Sequence, residues 1–222
     1  MAETTSAGSA GLSYPEEEAV FYHETQLNAA WVGSRLTLGA LSFGFGAFVF
    51  AFFYLRSTNS FGMWHPAGFR GPSMVLGTFV MGLAVVSAAV NTAAIQLLKA
   101  GRKAPWTAGA CAALALGLAA VGVQVWELLH LPFFPGSAGF ASVFVGFVPV
   151  FAAVVFVMMA WLEMLIGRCR PLPEISFVEQ PPTFAEAFAV QRFQASLSAF
   201  TLVWNYLAVV AVVMWVLFYL VH

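Results

Sequence analysis

The sequence predicts an all-α fold, a polytopic membrane helix bundle with five transmembrane helices. Charged residues make up 9% of the 222 positions, against roughly a quarter in an ordinary soluble domain. Hydrophobic residues reach 61%, with a mean hydropathy of +0.85. The 9 basic and 10 acidic residues also cluster. They leave uncharged runs of 20 (Leu36 to Leu55), 28 (Gly71 to Leu98), 23 (Ala104 to Trp126), 35 (Leu128 to Leu162) and 30 residues (Phe193 to His222). A bilayer crossing needs about 20 apolar residues, so each run is long enough, and a soluble globular domain is excluded.

Residues 1–30 read as a cytoplasmic N-terminal tail. They open with a Thr/Ser/Gly/Ala stretch and reach Glu16-Glu17-Glu18 without the basic and apolar regions of a secretory signal. This predicts an uncleaved, flexible segment. Ala19 to Ala30 mixes Phe21, Tyr22 and Leu27 with His23, Glu24 and Gln26, a composition suited to a short interfacial helix.

The membrane domain then covers residues 31–222. Helix 1 is placed at about 31–55, helix 2 at 72–98 and helix 3 at 105–129. The 35-residue run cannot be one helix, because His130-Leu-Pro-Phe-Phe-Pro-Gly136 puts two prolines and a glycine after Glu127. Helix 4 therefore starts at 139 and runs to 166. Pro171, Pro173, Pro181 and Pro182 mark a loop, an amphipathic turn is expected over Thr183 to Gln194, and helix 5 fills 195–221. Helix 3 carries a dense set of small residues from Ala108 to Gly122, which predicts close backbone approach and burial, between neighbours within the bundle or against another subunit. Helices 1, 4 and 5, with most of the Phe, Val and Trp, are expected to form the outer walls.

Five spans put the termini on opposite faces. Arg35, Lys99, Arg102, Lys103, Arg168, Arg170 and Arg192 fall on one side, and Arg56 and Arg70 on the other. By the positive-inside rule this places the N-terminus in the cytoplasm and the C-terminus outside. A net charge of -1 leaves no basic patch for a phosphate backbone, so no nucleic acid is expected as a partner. Cys111 and Cys169 match no metal-ligand spacing and read as free thiols.

Polar residues inside the spans are few: Asn91, Gln96, Gln124, Glu127, Glu163 and Asn205. Glu163 lies within a turn or two of Arg168 and Arg170 and reads as a solvated interfacial carboxylate. Glu127 is the carboxylate set well inside an apolar span, with Gln124 three residues earlier on the same helical face. Such a group must find partners, in neighbouring helices or in lipid headgroups. Of the four histidines only His65 and His130 share a face. Two interfacial imidazoles, near Trp64 and Leu131, are one reading of them, and a haem held between them is the other. No catalytic residue and no metal ligand set is assigned.

The order of features resembles the subunit III family of the haem-copper (cytochrome c) oxidases, in its five-helix bacterial form. Tyr54-Leu55-Arg56 followed by Trp64-His65-Pro66 is similar to the family's Y-x-L-R and W-x-P elements, and Asn91-Thr92 to its N-T pair. Gly117-Leu-Ala-Ala-Val-Gly-Val-Gln124-Val-Trp-Glu127-Leu-Leu-His130-Leu131 resembles its G-x(5,6)-Q-x-x-E-x-x-x-L helix. Gly139-Phe-Ala-Ser142-Val-Phe144 is similar to its G-x-x-x-S-x-F-F segment, and Trp204, Trp215 and Tyr219 fit its aromatic last span. Two positions depart. Ser42-Phe43 stands where the family has Ser-Glu, and Gly146-Phe-Val-Pro149 where it has H-G-x-H.

The resemblance implies a non-catalytic subunit of a proton-translocating terminal oxidase in the aerobic respiratory chain. No cofactor is expected in this chain; haem and copper belong to partner subunits. The implied partners are oxidase subunits I and II, phospholipid, and beyond them a larger respiratory supercomplex. The implied location is the bacterial cytoplasmic (inner) membrane, and the electron donor, cytochrome c or a quinol, stays open. Gln124, Glu127, Asn91, Trp64 and His65 are the residues expected to serve as polar anchors or lipid contacts. The alternatives are a small haem-binding or quinone-interacting membrane protein and a small-solute transporter.

Overall fold

Long apolar stretches leave the backbone no partner but itself in a bilayer, and helices are the result. The computed structural model describes residues 14–59, 62–172 and 184–221. It contains α1 (Tyr14–Ser57), α2 (Met74–Lys99), α3 (Lys103–Leu129), α4 (Gly139–Cys169) and α5 (Phe184–Trp215), and α5 runs on into a π-helical turn, Val216–Leu220. All five carry segments long and apolar enough to cross a membrane, and the chain is a multi-pass membrane protein. α1 begins at Tyr14 inside the expected tail and is continuous with the first span; no proline or glycine between Glu16 and Val32 interrupts it. α5 likewise starts at Phe184, with no separate amphipathic turn over the part of 183–194 that is described. Residues 1–13 lie outside the described residues.

The helices form a ring in the order α1, α5, α2, α3, α4, with α4 and α5 also touching across it. This corrects the expected placement of helices 4 and 5 as outer walls, and within the chain α3 is not the central helix. Half of the apolar window of α4 and half of that of α5 are buried, against 28% for α3 and 11% for α1. Only α1 is an outer wall in the expected sense. The reason is volume: the Phe, Met and Leu side chains of α4 and α5 fill the ring's centre, whereas alanines save too little area to hold a central position.

Small residues have a different use. The buried positions of α3 are Trp106, Ala110, Ala113, Gly117, Ala120, Gln124 and Glu127, and those of α2 include Gly77, Val80, Ala84, Ser87, Asn91, Ala94 and Leu98. Both sets step by alternating threes and fours. That is the heptad spacing of a tightly packed antiparallel helix pair. Ser87 Oγ donates across the seam to the Ala113 carbonyl at 2.7 Å. Gly109 faces Ala94 so closely that an added Cβ would come within 2.7 Å of the alanine's.

The loop after α1 folds back onto the bundle. Trp64 is buried, its backbone N–H donates to Asn59 Oδ1 at 2.9 Å, and the Gly139 N–H donates to the Met63 carbonyl at 3.0 Å. Its indole meets Phe52 and Phe140 edge to face, at 5.0 and 5.8 Å. Phe144 and Phe218 continue this aromatic core toward α5.

Candidate functional site

At one end of the α2–α3 seam, Gln124 and Glu127 are both buried, one turn apart on the inward face of α3. A carboxylate this deep requires donors. Tyr219 supplies one: its hydroxyl donates to Glu127 Oε1 over 3.3 Å. Tyr219 lies in the π-helical turn, where the widened winding advances the C-terminal aromatics of α5. Its ring occupies the space that a side chain at position 77 would fill. A Cβ on Gly77 would overlap the ring outright.

The start of α2 completes the surroundings. Ser73 caps that helix, its Oγ accepting the Leu76 N–H at 3.4 Å, and the Ser73 backbone faces the Glu127 carboxylate. A helix N-terminus carries partial positive charge, which suits an anion beside it. One turn on, the Trp215 indole N–H donates to Thr78 Oγ1 at 3.1 Å and ties α5 to α2. A cavity of about 40 Å³ remains, bounded by Gln124, Glu127, Phe144, Phe151, Met214 and Tyr219. It has room for a few water molecules at most.

The expected site residues do not all gather here. Gln124 and Glu127 do. Trp64 lies at the same end, connected to Tyr219 through Phe140 and Phe144 by successive ring contacts. His65 packs beside it on Phe140 and Phe69, at 5.0 and 5.2 Å between centroids. His130 stacks on Trp126 at 4.1 Å, with Nδ1 2.9 Å from the Trp126 carbonyl. Each imidazole thus has its own aromatic neighbour. Asn91 is further along the seam, fully buried, with neither amide atom hydrogen-bonded. Its neighbour Thr92 reaches Asn205 Oδ1 at 3.2 Å.

Comparison with protein-family models and with curated proteins found no match.

Thr78 and the Ser73 cap were not singled out from the sequence, and Tyr219 was named only as an aromatic of the last span. Tyr219 carried a faint signal, an aromatic phenol in the last span, but only the fold sets it against Glu127. Among the described residues no group of three or more His, Cys, Asp or Glu side chains is placed to hold a metal ion. The arrangement is one carboxylate, one amide and one phenol inside an aromatic and methyl-rich wall, which binds three helices together at one level. Cys111 is exposed and Cys169 buried, both as free thiols.

Proposed function

We propose that the chain is a non-catalytic, subunit III-like component of a haem-copper terminal oxidase, flanking the subunits that carry haem and copper. The observation that carries this reading is the fate of the most specific motif. Gly117, Gln124 and Glu127 all lie on the buried face of α3, and the carboxylate is spent on holding Tyr219 of α5. Residues placed in this way brace a bundle. A role in support of a neighbouring redox protein calls for such bracing, with no cofactor in the chain itself.

The same reading gives the orientation. The α2–α3 turn, the end of α4 and the start of α5 carry Lys99, Arg102, Lys103, Arg168, Arg170 and Arg192, and this basic end faces the cytoplasm of a bacterial inner membrane. Glu127 and Tyr219 then belong to the outer half. The broad apolar exterior, with Phe43, Phe50, Phe79 and Val157 exposed, is available to lipid and to subunits I and II.

Isolation of a tagged chain in mild detergent tests the proposal. The chain should bring down haem-bearing subunits with the spectrum of a terminal oxidase, and have no Soret band once separated from them. A chain that binds haem alone supports the haem-protein alternative, and one that never accompanies haem-bearing subunits overturns the oxidase reading.

A further inference from the structure

Neighbouring helices cover α5 on three sides, α1, α2 and α4, so what it shows to the outside is narrow. Between residues 198 and 212 its exposed side chains are Ser198, Leu202, Asn205, Val209 and Val212, and every other residue of that stretch is buried or half-buried. These five step by four, three, four and three. That is the spacing of the a and d positions of a coiled coil, by which one helix packs along another at a shallow left-handed crossing.

Asn205 stands at the middle of this seam and deep in the span. The Thr92 hydroxyl of α2 donates to its Oδ1 at 3.2 Å, and Thr92 precedes Lys99, at the basic end of α2, by about 10 Å of helix. The amide's NH2 group has no partner among the described residues. Two N–H donors exposed to hydrocarbon are costly, so this seam calls for a cover that can accept them. Beside it, α2 and α5 leave a groove of about 460 Å³, lined on the α2 side by Thr92, Ile95 and Gln96. Its polar lining is made of amides and hydroxyls, with one charged residue, Lys99, at the headgroup end.

An acyl chain could fill the groove but offers an amide nothing. A helix carrying hydrogen-bonding side chains at the same depths satisfies both needs, and α5 of a second copy is such a helix. Two copies related by a two-fold axis along the membrane normal place each residue at the depth of its own counterpart. Only groups that both donate and accept can pair with themselves, and the Asn205 amide and the Ser198 hydroxyl are of that kind. The Asn205 carbonyl oxygen that accepts from Thr92 has a second lone pair for the NH2 of Asn205 of the second copy, and the exchange is reciprocal. We propose that the chain forms a parallel two-fold dimer through this seam of α5, registered by a reciprocal pair of Asn205 amides, with side chains of each α5 set into the groove beside the other. A single polar residue in an apolar heptad seam fixes register in this way, and amides pair across helices within membranes. The dimer uses residues of this chain alone, so it stands apart from the oxidase reading.

Cysteine cross-linking in native membranes tests the surface. In a Cys111→Ala background, Leu202→Cys and Val209→Cys should each give a disulfide-linked dimer of the chain on mild oxidation, and Val157→Cys, exposed on α4, should not. Sedimentation of the full chain in mild detergent tests the amide pair. Asn205→Leu should weaken the dimer roughly five- to tenfold, the effect of losing two interhelical hydrogen bonds, and Asn205→Gln, which keeps an amide, should weaken it less. If Asn205→Leu fails to fold, the cross-linking contrast between the seam and Val157 still tests the proposal. Equal cross-linking at all three positions, no cross-link at either seam position, or seam cross-links only to a different protein would overturn it. So would a folded Asn205→Leu variant that dimerises as wild type. Co-isolation of haem-bearing subunits is a separate readout, so failure of the dimer and failure of the oxidase reading are told apart.

Discussion

The Tyr219 hydroxyl reaches Glu127 because two features of other residues permit it: the π-helical turn that carries Tyr219, and the missing side chain of Gly77 beneath its ring. The contact spans 92 residues of sequence and joins the C-terminal ends of α3 and α5 against the first turns of α2.

Tyr219→Phe keeps the ring and removes the donor. An interhelical hydrogen bond in a membrane is worth about 0.6 kcal/mol on average, but here its loss also strands a buried carboxyl group at a cost of about 1–3 kcal/mol, so a clear fall in thermal midpoint in mild detergent is expected. Gly77→Ala, which displaces the ring itself, should lower the midpoint further. If Gly77→Ala is the milder of the two, the close packing at this site is wrong.

Glu127→Gln retains the shape of the side chain and an acceptor oxygen, whereas Glu127→Ala removes the acceptor and leaves Tyr219 unpaired. The alanine variant should be the less stable by about 1–3 kcal/mol, the cost of a buried group left without its partner. Within an oxidase complex, Glu127→Gln should leave initial oxygen consumption near wild type while weakening retention of this subunit. Immediate loss of turnover with the subunit retained would instead make Glu127 a proton-handling group.

Asn91 occupies a seam position with neither amide atom bonded. An unpaired buried amide is a cost, so Asn91→Ala, which removes the amide and adds no volume to a seam already built from alanines, should leave the thermal midpoint nearly unchanged or raise it. A clear drop would mean that the amide has a partner in the membrane.

Two glycines of α3 should respond with opposite signs. Gly109→Ala must push against Ala94 across the seam and destabilise the α2–α3 pair. Gly122→Ala, with nothing within 4 Å of the added methyl group, should stabilise the helix by up to about 1 kcal/mol through propensity alone. Melting curves of the two single variants make the comparison.

With five spans, tags on the two termini should report opposite sides of the membrane, the N-terminal one cytoplasmic under the proposed orientation. Protease protection in spheroplasts and in inverted vesicles reads both. Tags on one side would remove a span.

Composition and breakers alone determined that the chain is helical, that it crosses the membrane, and roughly where the crossings lie, because a bilayer imposes one length and one backbone solution on any apolar run. The pairing of Gln124 with Glu127 on one face was equally legible, since helical spacing is a local property. Which helices occupy the centre was not. The small residues of α3 suggested burial, yet α4 and α5 took that place, because filling a core depends on side-chain volumes summed over all neighbours. Nor could the sequence set Tyr219 on Glu127, or Arg192 beside the end of α4. Those juxtapositions join positions far apart in the chain, and only the packing of one helix against another decides them.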